Sequence, residues 1–190
     1  MPNRYNPEKH HRRSTRLQEY DYKQTGAYFV TICTQNRECF FGVATVGEIQ
    51  LHDAGRLVQT AWRQLPSRFP DISLDAFVVM PNHIHGIILV GTQFIAASAN
   101  RGNDRGAMNR TPTLGEIVRA YKAGSTRMIR KIVNANFAWQ RNYYEHVIRD
   151  EQSFNRIRQY ILDNPARWDV DRENPQVMTP ERENAWQRYG

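Results

Sequence analysis

Two histidines stand two residues apart in the apolar stretch VVMPNHIHGIILV, residues 78–90. The aliphatic and β-branched residues around them predict a strand, on which residues i and i+2 point to the same face. His83 and His85 would then project side by side, while Ile84 packs on the other face. Two imidazoles so placed can chelate one divalent ion such as Mn²⁺, Zn²⁺ or Ni²⁺. The alternative is a pair of half-buried histidines bonded to backbone or water, although burying unpartnered imidazoles is costly.

A second group of polar residues lies in RIRQYILDNP, residues 156–165. The pattern predicts a helix that ends at Pro165. Its buried stripe is predicted to consist of Phe154, Ile157 and Ile161. Arg156, Tyr160 and Asn164 form an adjoining row at positions i, i+4 and i+8. A phenol is a competent nucleophile when a metal polarises the electrophile, and an amide oxygen is a suitable hard ligand. The alternative for Tyr160 is an aromatic side chain at the edge of the core.

Three motifs, taken in order along the chain, carry a resemblance to a known family. They are MPNHIHGIILV (80–90), WQRNYYEHVIR (139–149) and RQYILDNPARW (158–168). The chain resembles the single-tyrosine HUH transposases over residues 22–168, including the opening strand GAYFVTICTQNR. Within that superfamily it is most similar to the REP-associated tyrosine transposases.

The resemblance implies a metal-dependent enzyme that cuts single-stranded DNA at hairpin-associated sites. His83 and His85 would bind the divalent cofactor, Mg²⁺ or Mn²⁺. Tyr160 would attack a phosphodiester, forming a 5′-phosphotyrosine intermediate and freeing a 3′-OH. Asn164 stands where relatives place a third metal ligand, often Gln, and is shorter than Gln. A metal with open positions and an in-line nucleophile are the requirements of this chemistry.

The elements that must position these residues follow the order β, hairpin, α, β, β, α, β, α. This order predicts an α+β domain with a largely antiparallel sheet and helices packed on one face. The resemblance implies that the sheet is ferredoxin-like. The resemblance adds that the nucleophile helix lies over the strand carrying the two histidines. The predicted organisation is a basic flexible arm over 1–26, the HUH transposase domain over 27–165, and a C-terminal tail over 166–190 that packs on or near the domain.

Several local signals fix the ends of these elements. The hairpin over 38–51 is predicted to turn near Gly42–Ala44, and Asp53 is a predicted N-cap. Thr113 and Glu116 have the spacing of a capping box at the start of the long helix. Asp150 is predicted to open the helix that carries Tyr160.

The net charge of +7 and the isoelectric point near 9.7 favour a polyanionic partner, here single-stranded or hairpin DNA. The charge is concentrated, since residues 101–131 hold eight Lys or Arg against two acids, whereas residues 166–190 hold four against five. The predicted DNA-binding residues are Arg12, Arg13, Arg16, Arg119, Lys122, Arg127, Arg130, Lys131, Arg141, Tyr143, Tyr144 and Arg156. A solvated helix face is the alternative for the basic residues, and strand core for the two tyrosines.

The remaining features of the sequence narrow the class of protein. The two cysteines, Cys33 and Cys39, lack metal-site spacing, and the start of the chain lacks the apolar segment of a signal peptide. We therefore expect a cytoplasmic, nucleoid-associated protein with no membrane partner. The resemblance to the REP-associated branch, which carries a C-terminal tail like residues 166–190, favours a monomer over a homodimer. Two other functions stay open: a rolling-circle-type nickase, which usually carries further domains, and a non-catalytic nucleic-acid-binding host factor that retains the fold.

Overall fold

The computed structural model describes residues 25–91 and 111–177. The strands are β1 (Gly26–Cys33), β2 (Gly42–Thr45), β3 (Glu48–Leu51), β4 (Ile72–Val79), β5 (His83–Val90) and β6 (Tyr144–Ile148). The helices are α1 (Asp53–Arg63), α2 (Leu65–Arg68), α3 (Leu114–Ile132) and α4 (Glu151–Asp163), and a 3₁₀ segment (Asn164–Val170) continues α4. Within these ranges, no helix combines the length and apolar character needed to cross a membrane.

One four-stranded antiparallel sheet organises the domain, with the strand order β4-β5-β1-β6. The register of the two central strands places Cys33 opposite His83 and Thr31 opposite His85. Strands β2 and β3 form a separate hairpin. The predicted fold class, an α+β domain with a ferredoxin-like and largely antiparallel sheet, is confirmed.

The sheet is covered on both faces because its central strands are apolar on both sides. In β1 and β5, even-numbered residues such as Tyr28 and Ile88 pack in a larger core with α1 and α3. Odd-numbered residues such as Phe29 and Ile87 pack in a smaller core with α4. The expectation that the helices pack on one face is thus corrected, since the apolar stripe of α4 covers the face that also carries His83.

The helices that frame the candidate site begin with the predicted caps. Asp150 accepts a hydrogen bond from the Ser153 backbone N–H at 2.7 Å and so opens α4. Thr113 and Glu116 form the reciprocal capping box of α3, because each side chain accepts from the backbone N–H of the other. Such caps satisfy backbone donors that the first turn leaves unpaired.

Two local predictions are wrong by a few residues. The hairpin turns at Val46–Gly47, where both residues have positive φ, and not near Gly42–Ala44. The glycine at position 42 lies within β2, where an added Cβ would come within 2.4 Å of the Gln50 carbonyl oxygen. Helix α1 has His52 as its N-cap without a side-chain cap, so the predicted N-cap Asp53 stands in the first turn instead.

The chain beyond α4 folds back against the domain as far as it is described. Asp171, Glu173 and Asn174 are all buried. The Glu173 carbonyl accepts a hydrogen bond from Asn82, which lies in the turn between β4 and β5. This contact brings residues 171–174 next to the start of β5. The predicted arm over 1–26 lies almost wholly outside the described residues, and the division of the chain into three parts stays a prediction.

Candidate active site

His83 and His85 lie at the start of β5, on the sheet face that α4 covers. Their Nε2 atoms are 3.1 Å apart and their ring centroids 4.5 Å apart. Their side chains are buried, with 0% and 2% of their surfaces exposed. Ile84 is buried on the opposite face. The two imidazoles therefore stand side by side, as the strand spacing predicts.

The second nitrogen of each ring contacts a buried polar side chain. Asn82 Oδ1 lies 2.8 Å from His83 Nδ1, and Thr31 Oγ1 lies 2.8 Å from His85 Nδ1. Histidines that bind metals almost always engage their other ring nitrogen in this way. The Nε2 atoms are therefore the ones available to a shared ligand.

Tyr160 reaches the histidines from α4. Its hydroxyl oxygen lies 3.3 Å from His85 Nε2, although the two residues are 75 positions apart in the chain. Its ring packs edge-on against Phe29, with the centroids 6.0 Å apart. The helix is held by Ile157 and Ile161, both fully buried, which stabilise it by about 1.5–3 kcal/mol each. The predicted nucleophile thus lies beside the predicted metal ligands.

Asn164 lies one turn beyond Tyr160, and 2% of its surface is exposed. Its side chain hydrogen-bonds the phenol. Its Oδ1 atom is buried and has no hydrogen-bond partner within the described part of the chain. An unpaired buried amide oxygen costs about 1–3 kcal/mol, and a divalent cation satisfies such an atom.

Asp171 is a site residue that the sequence analysis missed. One ligand atom from each of His83, His85 and Asp171 lies within 4.8 Å of the others. The 3₁₀ segment that follows α4 brings this carboxylate to the histidines. The sequence alone does not single it out, because acids stand at three alternate positions, 169, 171 and 173. The structure distinguishes them, since Asp169 is exposed whereas Asp171 is buried.

Burial sets the protonation states of these groups. Desolvation is the largest cause of each shift: it lowers the pKa of His83 to about 3 and the pKa of His85 well below its ordinary value. It raises the pKa of the Tyr160 phenol and of the Asp171 carboxyl. The imidazoles are therefore neutral at neutral pH, which is the form that binds a metal. With a carboxylate and an amide oxygen, they make a donor set that fits a divalent ion.

A cluster of ion pairs borders the site on the side of His83. The Glu173 carboxylate pairs with Arg37 and Arg172, each at 3.1 Å, and accepts a hydrogen bond from Cys33 Sγ at 3.5 Å. Burial, with the nearby Glu173 charge, raises the pKa of the Cys33 thiol far above its ordinary value. The thiol is therefore unreactive, and the cluster anchors the segment that carries Asp171.

A basic groove of about 970 Å³ lies between α3 and residues 138–143. Seven residues predicted to bind DNA line it: Arg119, Lys122, Arg127, Arg130, Lys131, Arg141 and Tyr143. Helix α3 packs on the sheet face opposite to α4, so the basic groove and the histidine site belong to different faces.

Two of the basic side chains also hold the groove together. Lys122 Nζ donates to the carbonyl oxygen of Gln140 at 2.5 Å, and burial lowers its pKa. Arg130 Nε donates to the carbonyl oxygen of Phe137 at 2.8 Å. Arg119 and Arg127 have exposed side chains on α3. These two arginines, like the exposed Lys131 and Arg141, are therefore placed to contact an external anion.

The structure leaves two described DNA-binding candidates outside the basic groove. Tyr144 packs edge-on against Phe29 at 6.3 Å, with the Arg172 guanidinium 5.7 Å from its ring centre. Tyr144 thus lies on the α4 side of the sheet, unlike Tyr143. Arg156 lies on α4 and donates to a side chain of its own helix. The remaining candidates, Arg12, Arg13 and Arg16, lie outside the described residues.

Comparison with known sequences places the chain in a family. It is 44% identical over 176 residues to an uncharacterized protein of Haemophilus influenzae, and the match spans 90% of this chain and 97% of that protein. The chain therefore belongs to the same family as the Haemophilus influenzae protein. No family model matches the sequence.

Comparison with solved structures identifies the fold as that of a transposase. The chain is similar to a REP-associated tyrosine transposase bound to a REP hairpin, with a TM-score of 0.54 and 21% identity over 82% of this chain and 74% of that one. At this identity the likeness establishes the fold alone. A Deinococcus radiodurans protein assigned provisionally as a transposase has a TM-score of 0.45 and 16% identity over 78% of this chain and 95% of its own. That score is too low to carry an argument.

Proposed function

We propose that the protein is a metal-dependent single-stranded DNA endonuclease and strand transferase, a transposase that cleaves at hairpin-associated sites. The convergence of His83, His85 and Tyr160 carries the proposal, since the phenol oxygen is 3.3 Å from His85 Nε2. Separate motifs of the sequence supply these residues, and the fold brings them together. A phenol beside a pair of metal ligands is what a tyrosine nucleophile for phosphoryl transfer requires.

Tyr160 is the nucleophile of the proposed reaction. Its oxygen attacks the phosphorus of a phosphodiester, and the bond from phosphorus to the 3′ oxygen breaks. The phenol loses its proton and the departing 3′ oxygen gains one, so the products are a 5′-phosphotyrosine link and a free 3′-OH. Burial, followed by the Asp171 charge, raises the pKa of the phenol, and the Asn164 hydrogen bond and the Arg172 charge oppose part of this rise. Because the link is itself a phosphodiester, a 3′-OH can reverse the reaction without ATP.

His83, His85 and Asp171 hold the divalent ion, Mg²⁺ or Mn²⁺, in this proposal. Asn164, the third ligand expected from the sequence, supplies its unpaired Oδ1 as a further donor. When bound, the ion neutralises charge on the non-bridging phosphate oxygens. Asp171 would supply the charged ligand of this set, beside the two neutral rings.

The basic groove is the proposed DNA-binding surface. Its exposed basic side chains, which include Arg119 and Arg127, suit phosphate contacts, which supply sequence-independent affinity. The transposase with the similar fold is bound to a REP hairpin, which supports hairpin DNA as the partner here. The arm residues Arg12, Arg13 and Arg16 stay candidates for further contacts. We place the active protein, as a monomer, on DNA in the cytoplasm.

Covalent capture tests the proposal. The protein is incubated with Mn²⁺ or Mg²⁺ and a library of end-labelled single-stranded hairpins, and an SDS-resistant adduct is sought on a denaturing gel. We expect an adduct that chelation abolishes and that Tyr160→Phe lacks, while DNA binding by Tyr160→Phe stays within about twofold of wild type. Absence of an adduct across the library contradicts the nuclease, and an adduct in Tyr160→Phe contradicts the choice of nucleophile.

A second candidate function is nucleic-acid binding without cleavage. The observation that favours it is the contrast in access: Tyr160 is 7% exposed and His83 fully buried, whereas the basic groove is open. Cleavage requires the side chains around the phenol to move apart when DNA binds, whereas binding in the groove requires no such change. Salt-sensitive hairpin binding together with no adduct is the result that selects this second function.

A further inference from the structure

Asn82, which directly precedes the histidine pair, has no part in the proposed reaction, yet its side chain is fully buried. Its Nδ2 group donates to the carbonyl oxygens of Arg37 and Glu173, at 3.0 and 2.7 Å. Its Oδ1 atom lies 2.8 Å from His83 Nδ1. Because carbonyl oxygens only accept, the amide must turn its NH₂ group toward them, and Oδ1 must face the ring.

This orientation decides where His83 carries its proton. The amide oxygen accepts and cannot donate, so the hydrogen bond requires the proton to be on Nδ1 of the neutral imidazole. The Nε2 atom of His83 is then left with a lone pair, directed toward His85 Nε2 at 3.1 Å. Asn82 thus presents His83 in the form that binds a metal.

His85 is held by a partner of a different kind. The Thr31 hydroxyl, 2.8 Å from His85 Nδ1, can donate or accept. His85 can therefore carry its proton on either nitrogen. Since His83 Nε2 offers a lone pair, the two Nε2 atoms are joined either by a proton on His85 or by a cation that both rings bind.

We propose that Asn82 is a positioning residue that locks His83 in the Nδ1-protonated form, whereas Thr31 lets His85 change its form when a metal binds. His83 is thereby ready as a ligand, whereas the proton of His85 has to pass from Nε2 to Nδ1, where the Thr31 hydroxyl oxygen accepts its hydrogen bond. A ligand that must first reach its binding-competent form lowers the apparent affinity by the fraction that is competent. The effect on metal affinity rests on the proposed metal site, but the protonation of His83 does not.

Two variants separate this role from a purely structural one. Asn82→Ala and Asn82→Asp both lose the donations to the Arg37 and Glu173 carbonyls. Asp alone keeps an oxygen that accepts from His83 Nδ1. We expect Asn82→Ala to weaken Mn²⁺ binding roughly 10- to 100-fold, as loss of an outer partner of a ligand does, and Asn82→Asp to stay within about fivefold of wild type. Mn²⁺ binding is measured by calorimetry without DNA, and the fold of each variant by circular dichroism.

The wild-type protein supplies a readout that needs no variant. Proton–nitrogen correlation spectra of ¹⁵N-histidine-labelled protein report which ring nitrogen of His83 is protonated. We expect Nδ1–H in wild type and in Asn82→Asp, and its loss in Asn82→Ala. A wild-type His83 protonated on Nε2 overturns the proposal, and this result does not depend on whether the variants fold. An equal loss of Mn²⁺ affinity in the two folded variants also overturns it. If wild type binds no Mn²⁺, the proposed metal function fails, while the spectrum still decides the role of Asn82.

Discussion

The histidine site and the basic groove lie on opposite faces of one sheet and differ in their physical character. The groups of the histidine site are at most 8% exposed, and desolvation dominates their protonation. The basic groove is open and lined with exposed arginines. In the proposed function, packing would therefore set the geometry of the cleavage site, whereas exposed charge would set the affinity for DNA. A substitution in the histidine site should therefore leave hairpin binding unchanged, and a substitution in the basic groove should leave Mn²⁺ binding unchanged.

The largest effect is expected from Asp171→Asn. The substitution removes a charged ligand from beside two neutral imidazoles, so we expect Mn²⁺ affinity to fall at least about tenfold. Because burial disfavours the charged form of Asp171, the same variant should unfold at an unchanged or higher temperature without metal. Calorimetric titration and thermal denaturation measure the two quantities.

Asp169→Asn is the matched control for this prediction. Asp169 stands two residues away and is exposed, so its variant should bind Mn²⁺ as wild type does. Equal losses in the two variants would mean that general charge near the site governs metal binding. Hairpin binding in both variants should match wild type, as the separation of the two regions requires.

An intermediate effect is expected from the double variant Arg119→Ala and Arg127→Ala. Each lost phosphate contact reduces the slope of log affinity against log salt by about 0.7–0.9, so the slope should flatten by about 1.5. Binding of unrelated hairpins should weaken to a similar degree, because phosphate contacts carry no sequence information. Fluorescence anisotropy over a salt series measures hairpin affinity and its salt dependence. The control is Arg63→Ala, which changes an exposed arginine of α1 outside the groove. An unchanged slope would show that Arg119 and Arg127 of the basic groove do not contact DNA phosphates.

The smallest effect is expected from Arg158→Ala. Arg158 of α4 pairs with Asp75 of the edge strand β4, with Nε donating to Oδ1 at 2.7 Å, and this lowers the pKa of Asp75. A carboxyl with a lowered pKa stabilises the fold above its ordinary value of 3.8, and the contribution is lost as pH falls through the lower value of the folded state. We expect a loss of about 1 kcal/mol or less at neutral pH, since the pair is partly exposed, and a smaller difference below pH 3.8.

Urea unfolding at several pH values measures that difference, and hydrogen exchange locates it. The ion pair fastens α4 to the sheet, so faster exchange should be confined to α4, and the basic groove should be unaffected. The control is Arg56→Ala, which breaks an exposed pair within α1. A loss that persists unchanged at low pH would show that the ion pair is not its source.

The parts of the site that follow from local periodicity are predictable from the sequence. Alternation along a strand puts His83 and His85 on one face, and the cap at Asp150 with the apolar stripe after it places Tyr160 on a helix. Neither pattern says which face of the sheet that helix covers. Both faces of β1 and β5 are apolar, so the helices divide between them, which the sequence analysis did not foresee.

Residues placed by irregular backbone are not predictable in this way. The position of Asp171 depends on how the chain turns after α4 and on the contacts of Glu173 with Asn82 and Arg37. The hairpin turn at Val46–Gly47 is a second example. Glycine often marks a turn, but Gly42 lies within β2, where its lack of a side chain lets the Gln50 carbonyl of β3 approach closely. Tyr143 immediately precedes β6 and packs with the larger core, whereas Tyr144, the first residue of β6, packs with the smaller core on the other face.

The identity of the residue that becomes linked to DNA tests the central claim most directly. Adduct formed with Mn²⁺ and an active hairpin is digested with nuclease and protease, and the peptide that retains a nucleotide is sequenced by mass spectrometry. We expect the nucleotide to be attached to Tyr160, in the peptide that contains QYILDNPAR. Attachment to another residue, such as Tyr143 in the basic groove, or the absence of any linked peptide, would contradict it.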